Sequence, residues 1–186
     1  MSARGVNPRT YDNSRRAEQA RATRRRIVDV ARELLLTQGY ATTTIAQVAK
    51  AAGVSSETVQ KGFGTKAALA KAVYDVTLVG DDEPVPLLDR PWVAEIQREP
   101  DPRRIIALWL ANGRQVLHRV APLMRVMRGA TGTDPELAAQ WETNQQQTRT
   151  ANGMLAQLLA ARDALRPGLD VEQARDIAFT LSNAET

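Results

Sequence analysis

The chain has 186 residues and a mass of 20.4 kDa, room for one ordinary domain or a small one joined to a modest second. Hydrophobic residues at 43% and charged residues at 25% give a globular balance, and aromatics at only 4% leave the core to Ala, Leu, Val and Ile, a composition that favours helices over a β-sandwich. The absence of cysteine and the single histidine, His118, exclude a disulfide framework, a thiol nucleophile and a two-histidine or Cys-ligated metal site.

No cofactor is expected. No apolar run approaches a membrane span, and residues 1–30 carry no apolar signal core. The chain is therefore expected to be cytoplasmic and to have no membrane partner. The net charge of +4 hides an asymmetry. Residues 1–26 hold eight arginines against Asp12 and Glu18, a local balance of +6; residues 1–75 stand at +7 and residues 76–186 at −3. A basic arm ahead of a helical segment is an electrostatic footprint for a polyanion. Residues 1–20 are expected to be a disordered arm.

The first helix is legible from Ile27, with Val30, Ala31, Leu34 and Leu35 at i, i+3, i+4, i+7 and i+8; the polar residues 15–25 are able to extend it backwards. Gly39 stops it, and Tyr40 is placed to pack just beyond. A second helix opens at Thr44-Ile45-Ala46-Gln47, the spacing of a capping box, presents Ile45, Val48, Ala49 and Ala52 on one face, and stops at Gly53. Ser55 is the cap of a third helix reaching Phe63, whose apolar residues are chiefly Val59 and Phe63. Ser56, Glu57, Thr58, Gln60 and Lys61 make its outer face. Two short helices joined by a tight glycine turn, the second polar outside, are the sequence form of a helix-turn-helix. The chemistry suits base edges: Gln reads adenine bidentately, Lys reaches guanine, and the Thr methyl suits thymine.

The stretch from Thr23 to Val79 resembles the DNA-binding domain of TetR-family transcriptional regulators. The matching residues are Ile27, Ala31, Leu34, Leu35, Gly39-Tyr40, Thr43-Thr44-Ile45-Ala46-Gln47-Val48-Ala49, Ala52-Gly53-Val54-Ser55, Thr58-Val59, Phe63, Lys66, Leu69 and Ala72. The resemblance implies a helix-turn-helix at residues 44–63 within a DNA-binding domain spanning 21–80, with the third helix in the major groove. Thr44, at a helix N-terminus, and Lys66, in the first turn of the fourth helix, would hold backbone phosphates. Ser55, Ser56, Glu57, Thr58, Gln60 and Lys61 would lie at the groove and read sequence. The arginines of the arm and of the helix after it, Arg24 and Arg25 among them, would add counterion-releasing contacts. Two positions depart from the family pattern. Gln60 stands where a tyrosine is usual, and Gly62 where another aromatic is frequent. Gly62 costs about 1 kcal/mol of helix propensity relative to Ala, so that end of the helix is expected to fray without DNA.

The fourth helix carries Leu69, Val73 and Val76 and ends at Gly80; the proline-rich run from Asp81 to Pro91 marks a boundary. Beyond it, Asp101-Pro102, Asp134-Pro135 and Asp170-Val171-Glu172-Gln173 are helix starts, giving segments at about 92–98, 102–119, 122–128, 135–163 and 171–184. The whole chain reads as all-α. Residues 81–186 would, by the resemblance, bind a small-molecule effector and form a homodimer through the last two helices. The sequence stops at Thr186 within a helical stretch, where family members usually continue, so the expectation is either a short member of the family or a last dimerisation helix that is cut short. Trp92, Trp109, Met124, Met127 and Trp141 are candidates to line a cavity, and Asn112, His118, Arg125 and Gln145 to orient a ligand. Trp109, Asn112, Arg125 and Trp141 stand foremost.

The expected function is a repressor that leaves a palindromic double-stranded DNA operator when an effector binds. A constitutive regulator or activator and a non-specific DNA-binding protein are the alternatives. An enzyme is not expected, for want of a nucleophile–base pair, a glycine-rich phosphate loop or a metal-ligand cluster.

Overall fold

A computed structural model describes residues 8–80 and 85–182, and side chains from residue 15 onward. The described residues form eight α-helices and one 3-10 turn, with no strand among them. The helices are α1 (Pro8–Gln38), α2 (Ile45–Ala52), α3 (Ser56–Phe63), α4 (Lys66–Val79), α5 (Pro91–Arg98), α6 (Pro102–Arg128), α7 (Pro135–Ala160) and α8 (Val171–Ser182); the 3-10 turn, Leu87–Asp89, precedes α5. The chain divides into two compact units, Met1–Val73 and Tyr74–Thr186. The division falls inside α4, earlier than the proline-rich run that marks it in the sequence. Ala67, Leu69, Ala70, Val73, Tyr74 and Thr77 are all buried along α4, so one unbroken helix serves both units.

The first unit is built on small and β-branched side chains. Ile27, Val28, Ala31 and Leu35 of α1 are buried, together with Val48, Ala49 and Ala52 of α2 and Val59 of α3. Helices α1, α2 and α3 pack consecutively, and the alanines allow α2 a close approach to its neighbours. Residues 8–20, expected as part of a disordered arm, are instead the beginning of α1. Pro8 takes the first helical position, and the residues after it contain neither glycine nor a second proline to interrupt the helix. The arm residues 1–7 lie outside the described residues.

In the second unit α5, α6 and α7 open with proline at or next to the first position, and Asp101 and Asp134 cap α6 and α7 by accepting backbone N–H groups. Asp170 and Gln173 cap α8 reciprocally, at 2.8 and 3.1 Å. The expected separation of 102–119 from 122–128 does not occur: α6 is continuous through Pro122. Proline removes one helical N–H donor at a cost of about 3 kcal/mol, and burial of Val120, Leu123 and Met127 on either side holds the helix together across it. α7 ends at Ala160, short of the expected 163. Just beyond it the guanidinium of Arg162 donates to the carbonyls of Gln97, Glu99 and Leu158, at 3.0, 2.9 and 3.0 Å, and so ties the end of α7 to the turn between α5 and α6.

Candidate nucleic-acid interface

The interface begins with two caps. Thr44 Oγ1 accepts the Gln47 N–H at 3.2 Å while Gln47 Oε1 accepts the Thr44 N–H at 2.9 Å, the reciprocal pair expected from their spacing. At the other end of α2, Val54 N–H donates to the Ala49 carbonyl and Gly53 N–H to that of Lys50, at 3.0 and 3.2 Å. Gly53 sits at φ 65°, ψ 38°, so the turn is a Schellman ending that requires a left-handed residue there. Ser55 then caps α3, its Oγ accepting Thr58 N–H at 3.1 Å and sharing a 2.9 Å hydrogen bond with the Thr58 hydroxyl.

α3 buries Val59 and half-buries Phe63, and Ser56, Glu57, Thr58, Gln60, Lys61 and Gly62 are exposed. At 3.6 residues per turn, Glu57, Thr58 and Lys61 point away from Val59 and Phe63, Gln60 lies on the flank, and Ser56 stands in the first turn on the Val59–Phe63 side. Glu57 and Lys61 form an exposed i,i+4 ion pair at 2.8 Å. Such a pair is worth about 0.3–0.5 kcal/mol, little enough for a phosphate or a base edge to displace it.

Two of the expected cations are engaged inside the unit. Lys66 Nζ donates to the Tyr40 carbonyl at 3.0 Å and stands 4.1 Å from the centroid of the Tyr40 ring, so its ammonium ties the start of α4 to the loop after α1. Arg24 Nη1 donates to the Gly62 carbonyl at 3.0 Å, and its guanidinium carbon lies 4.2 Å from the Phe63 ring centroid. Arg25 is exposed on α1. α3 runs through Gly62 to Phe63, with Gly64 N–H on the Gln60 carbonyl at 2.7 Å.

The candidate ligand residues of the second unit are brought together only in part. Trp92 and Trp109 meet edge to face, centroids 6.4 Å apart, beside the buried cluster of Ile96, Ile105 and Leu155. Asn112 spends its amide on the Leu108 carbonyl, 2.8 Å away on its own helix. His118 and Arg125 are exposed, Trp141, Met124 and Gln145 are half-buried, and Met127 is fully buried.

Sequence reasoning passed over two side chains in this unit. Asn144 is 3% exposed, and neither its amide nitrogen nor its oxygen meets a hydrogen-bond partner. The signal available was a polar residue on the stripe Leu137, Trp141, Asn144, Thr148. Arg119 donates to the Leu78 carbonyl in the last turn of α4 at 3.0 Å, and its guanidinium packs on Gly80, where an added Cβ would stand 3.5 Å from it. No group of three His, Asp or Glu side chains suited to a metal occurs among the described residues, and no described helix is long and apolar enough to cross a membrane.

Residues 27–73 match the family model of bacterial regulatory proteins of the tetR family. No curated protein matches the chain. Among solved structures, the fold is similar to that of NalD from Pseudomonas aeruginosa, the secondary repressor of the MexAB-OprM multidrug efflux pump, with a TM-score of 0.67 at 24% identity over 89% of this chain and 82% of that one. FadR from Bacillus subtilis, a transcriptional regulator solved in complex with stearoyl-CoA, gives a TM-score of 0.67 at 19% identity over 84% and 81%. A TetR transcription regulator from Haloarcula marismortui gives 0.58 at 19% identity over 88% and 89%. The capped helix-turn-helix and the family match fall on the same residues, so the N-terminal domain carries the DNA-binding signature of the tetR family of bacterial regulatory proteins.

Proposed function

We propose that the chain is a sequence-specific repressor that acts as a homodimer on a palindromic operator and is released by a small-molecule effector. The observation that carries the DNA half of this reading is α3, a capped helix anchored by Val59 and Phe63 whose remaining side chains are all exposed. Thr44 and Lys66 would contact backbone phosphates, Lys66 with the donors that Tyr40 leaves open. Ser56, Glu57, Thr58, Gln60 and Lys61 would face base edges, with Ser55 at the groove's rim and Arg25 adding charge. A two-fold dimer places its two recognition helices about 34–36 Å apart, one turn of DNA. Ile177 and Leu181, one turn apart on α8 and 47% and 75% exposed, are side chains that a dimer through the last helices would bury.

An effector that binds the second unit better when the two α3 helices are wrongly spaced lowers operator affinity by linkage, with α4 as the covalent connection. A constitutive regulator with no effector is the second reading. It is favoured by the Trp92–Trp109 contact, which fills the space beside Ile96, Ile105 and Leu155 with the protein's own side chains.

Selection of bound duplexes from a random pool, followed by fluorescence anisotropy at fixed salt, tests the proposal. Enrichment of a palindrome, bound by two protomers at least about a hundredfold more tightly than scrambled duplex, is the expected result. No enrichment, with every duplex losing affinity together as salt rises, would make the protein a non-specific binder. On the selected duplex, Gln60→Ala is expected to cost about tenfold in affinity and to relax one position of each half-site, while affinity for random duplex stays as it was. Equal losses on both duplexes would remove Gln60 from the base-reading set.

A further inference from the structure

α3 is short and weakly held at its C-terminal end. It has eight residues, one fully buried side chain, and glycines at positions 62 and 64. Its last turn therefore depends on contacts from outside the helix. Arg24 supplies them from a distance of 38 residues in sequence. The stripe Arg24, Val28, Ala31, Leu35 shows why it reaches: Arg24 lies one turn before three buried side chains, on the face of α1 that packs inward. One planar group makes both contacts, a hydrogen bond to the Gly62 carbonyl and a stack on the Phe63 ring. The carbonyl belongs to the end of the helix that carries partial negative charge, so a cation is stabilising there.

We infer that Arg24 is a positioning residue for the recognition helix, holding the Gly62–Phe63 turn of α3 in place rather than contacting DNA phosphate. The inference rests on α3 being the recognition helix. Its consequence is specific: of the arginines that give the N-terminal region its charge, this one acts through the orientation of α3. Its loss lowers discrimination between sequences and leaves the electrostatic part of binding intact.

The test uses the full chain with three variants: Arg24→Met, which keeps the stem without charge or donors, Phe63→Leu, which keeps apolar bulk without the ring face, and the double variant. Amide hydrogen exchange of the DNA-free protein is expected to show about tenfold lower protection at Gly64 in Arg24→Met, with α1 and α2 amides unchanged. The double variant should lose no more protection than the worse single one, because guanidinium and ring act as one contact. Unchanged protection at Gly64, or fully additive losses, would overturn the inference.

The second readout is DNA binding. Arg24→Met is expected to lower affinity for the selected palindrome about tenfold with no change in the slope of log affinity against log salt. A slope smaller in magnitude by about 0.9 would mean that the variant neutralises one phosphate fewer, and would assign Arg24 to the DNA backbone instead. If the unaltered chain selects no palindrome, the proposed function fails while the exchange measurement still decides whether Arg24 braces α3.

Discussion

Lys66 offers three donors, and the fold already occupies one of them on the Tyr40 carbonyl with the ring of Tyr40 beneath the charge. Lys66→Ala is therefore expected to lower the stability of the first unit by about 1–3 kcal/mol in a urea melt, besides weakening cognate and random duplex by similar factors. An unaltered melt with weakened binding would show that the ammonium serves phosphate alone. At this scale, legibility follows distance along the chain. The Thr44–Gln47 and Ser55–Thr58 caps span three residues each, and the hydroxyl and amide groups at that spacing specify the contact. The partners of Lys66 and Arg24 lie 26 and 38 residues away, and composition marks both cations only as charge. Asn144 is a further case, since its burial depends on which face of α7 the rest of the unit covers.

Among the elements, the turn between α2 and α3 is the one whose geometry the interface requires. Gly53 closes it in the left-handed region, where a side chain costs about 1–2 kcal/mol. Nothing lies within 4 Å of an added Cβ at Gly53, so the expected penalty of Gly53→Ala is conformational alone. Thermal melting should read a destabilisation of about 1–2 kcal/mol, and an unchanged melt would show that the turn relaxes to another conformation. Element types were legible throughout because apolar periodicity and caps are local, whereas some boundaries were not. Pro122 marks a helix end by its missing donor, and the residues before Ile27 lack the apolar periodicity that would mark a helix start. In the first case burial of Val120, Leu123 and Met127 outweighs the proline. In the second, the helix runs back to Pro8 through a stretch whose side chains from Arg15 to Arg21 are exposed, so propensity rather than burial carries it.

Across the whole molecule, the basic and mildly acidic parts of the chain fall close to the boundary between the two compact units. In the second unit, Asp176 receives hydrogen bonds from both Arg175 and Arg149, at 3.0 and 3.1 Å, which hold its carboxyl below the usual carboxylate range. A carboxyl more acidic in the folded than in the unfolded chain contributes stability above its unfolded pKa of about 3.9, and that contribution disappears as pH falls through the lower folded value. Melting temperatures measured from pH 7 down to pH 3 should thus fall more steeply in the unaltered chain than in Asp176→Asn, and parallel curves would remove this carboxylate from the α7–α8 pairing.

The sequence by itself determined that the chain is helical, that its N-terminal region carries a capped helix-turn-helix, and that positive charge gathers there, because periodicity, capping and charge balance act over a few residues or add without regard to order. Tertiary structure alone decided which arginine braces α3, which lysine is spent on a carbonyl, and which tryptophans close on each other. Those outcomes depend on which distant surfaces meet, and burial assigns a different role to the same residue type on each face.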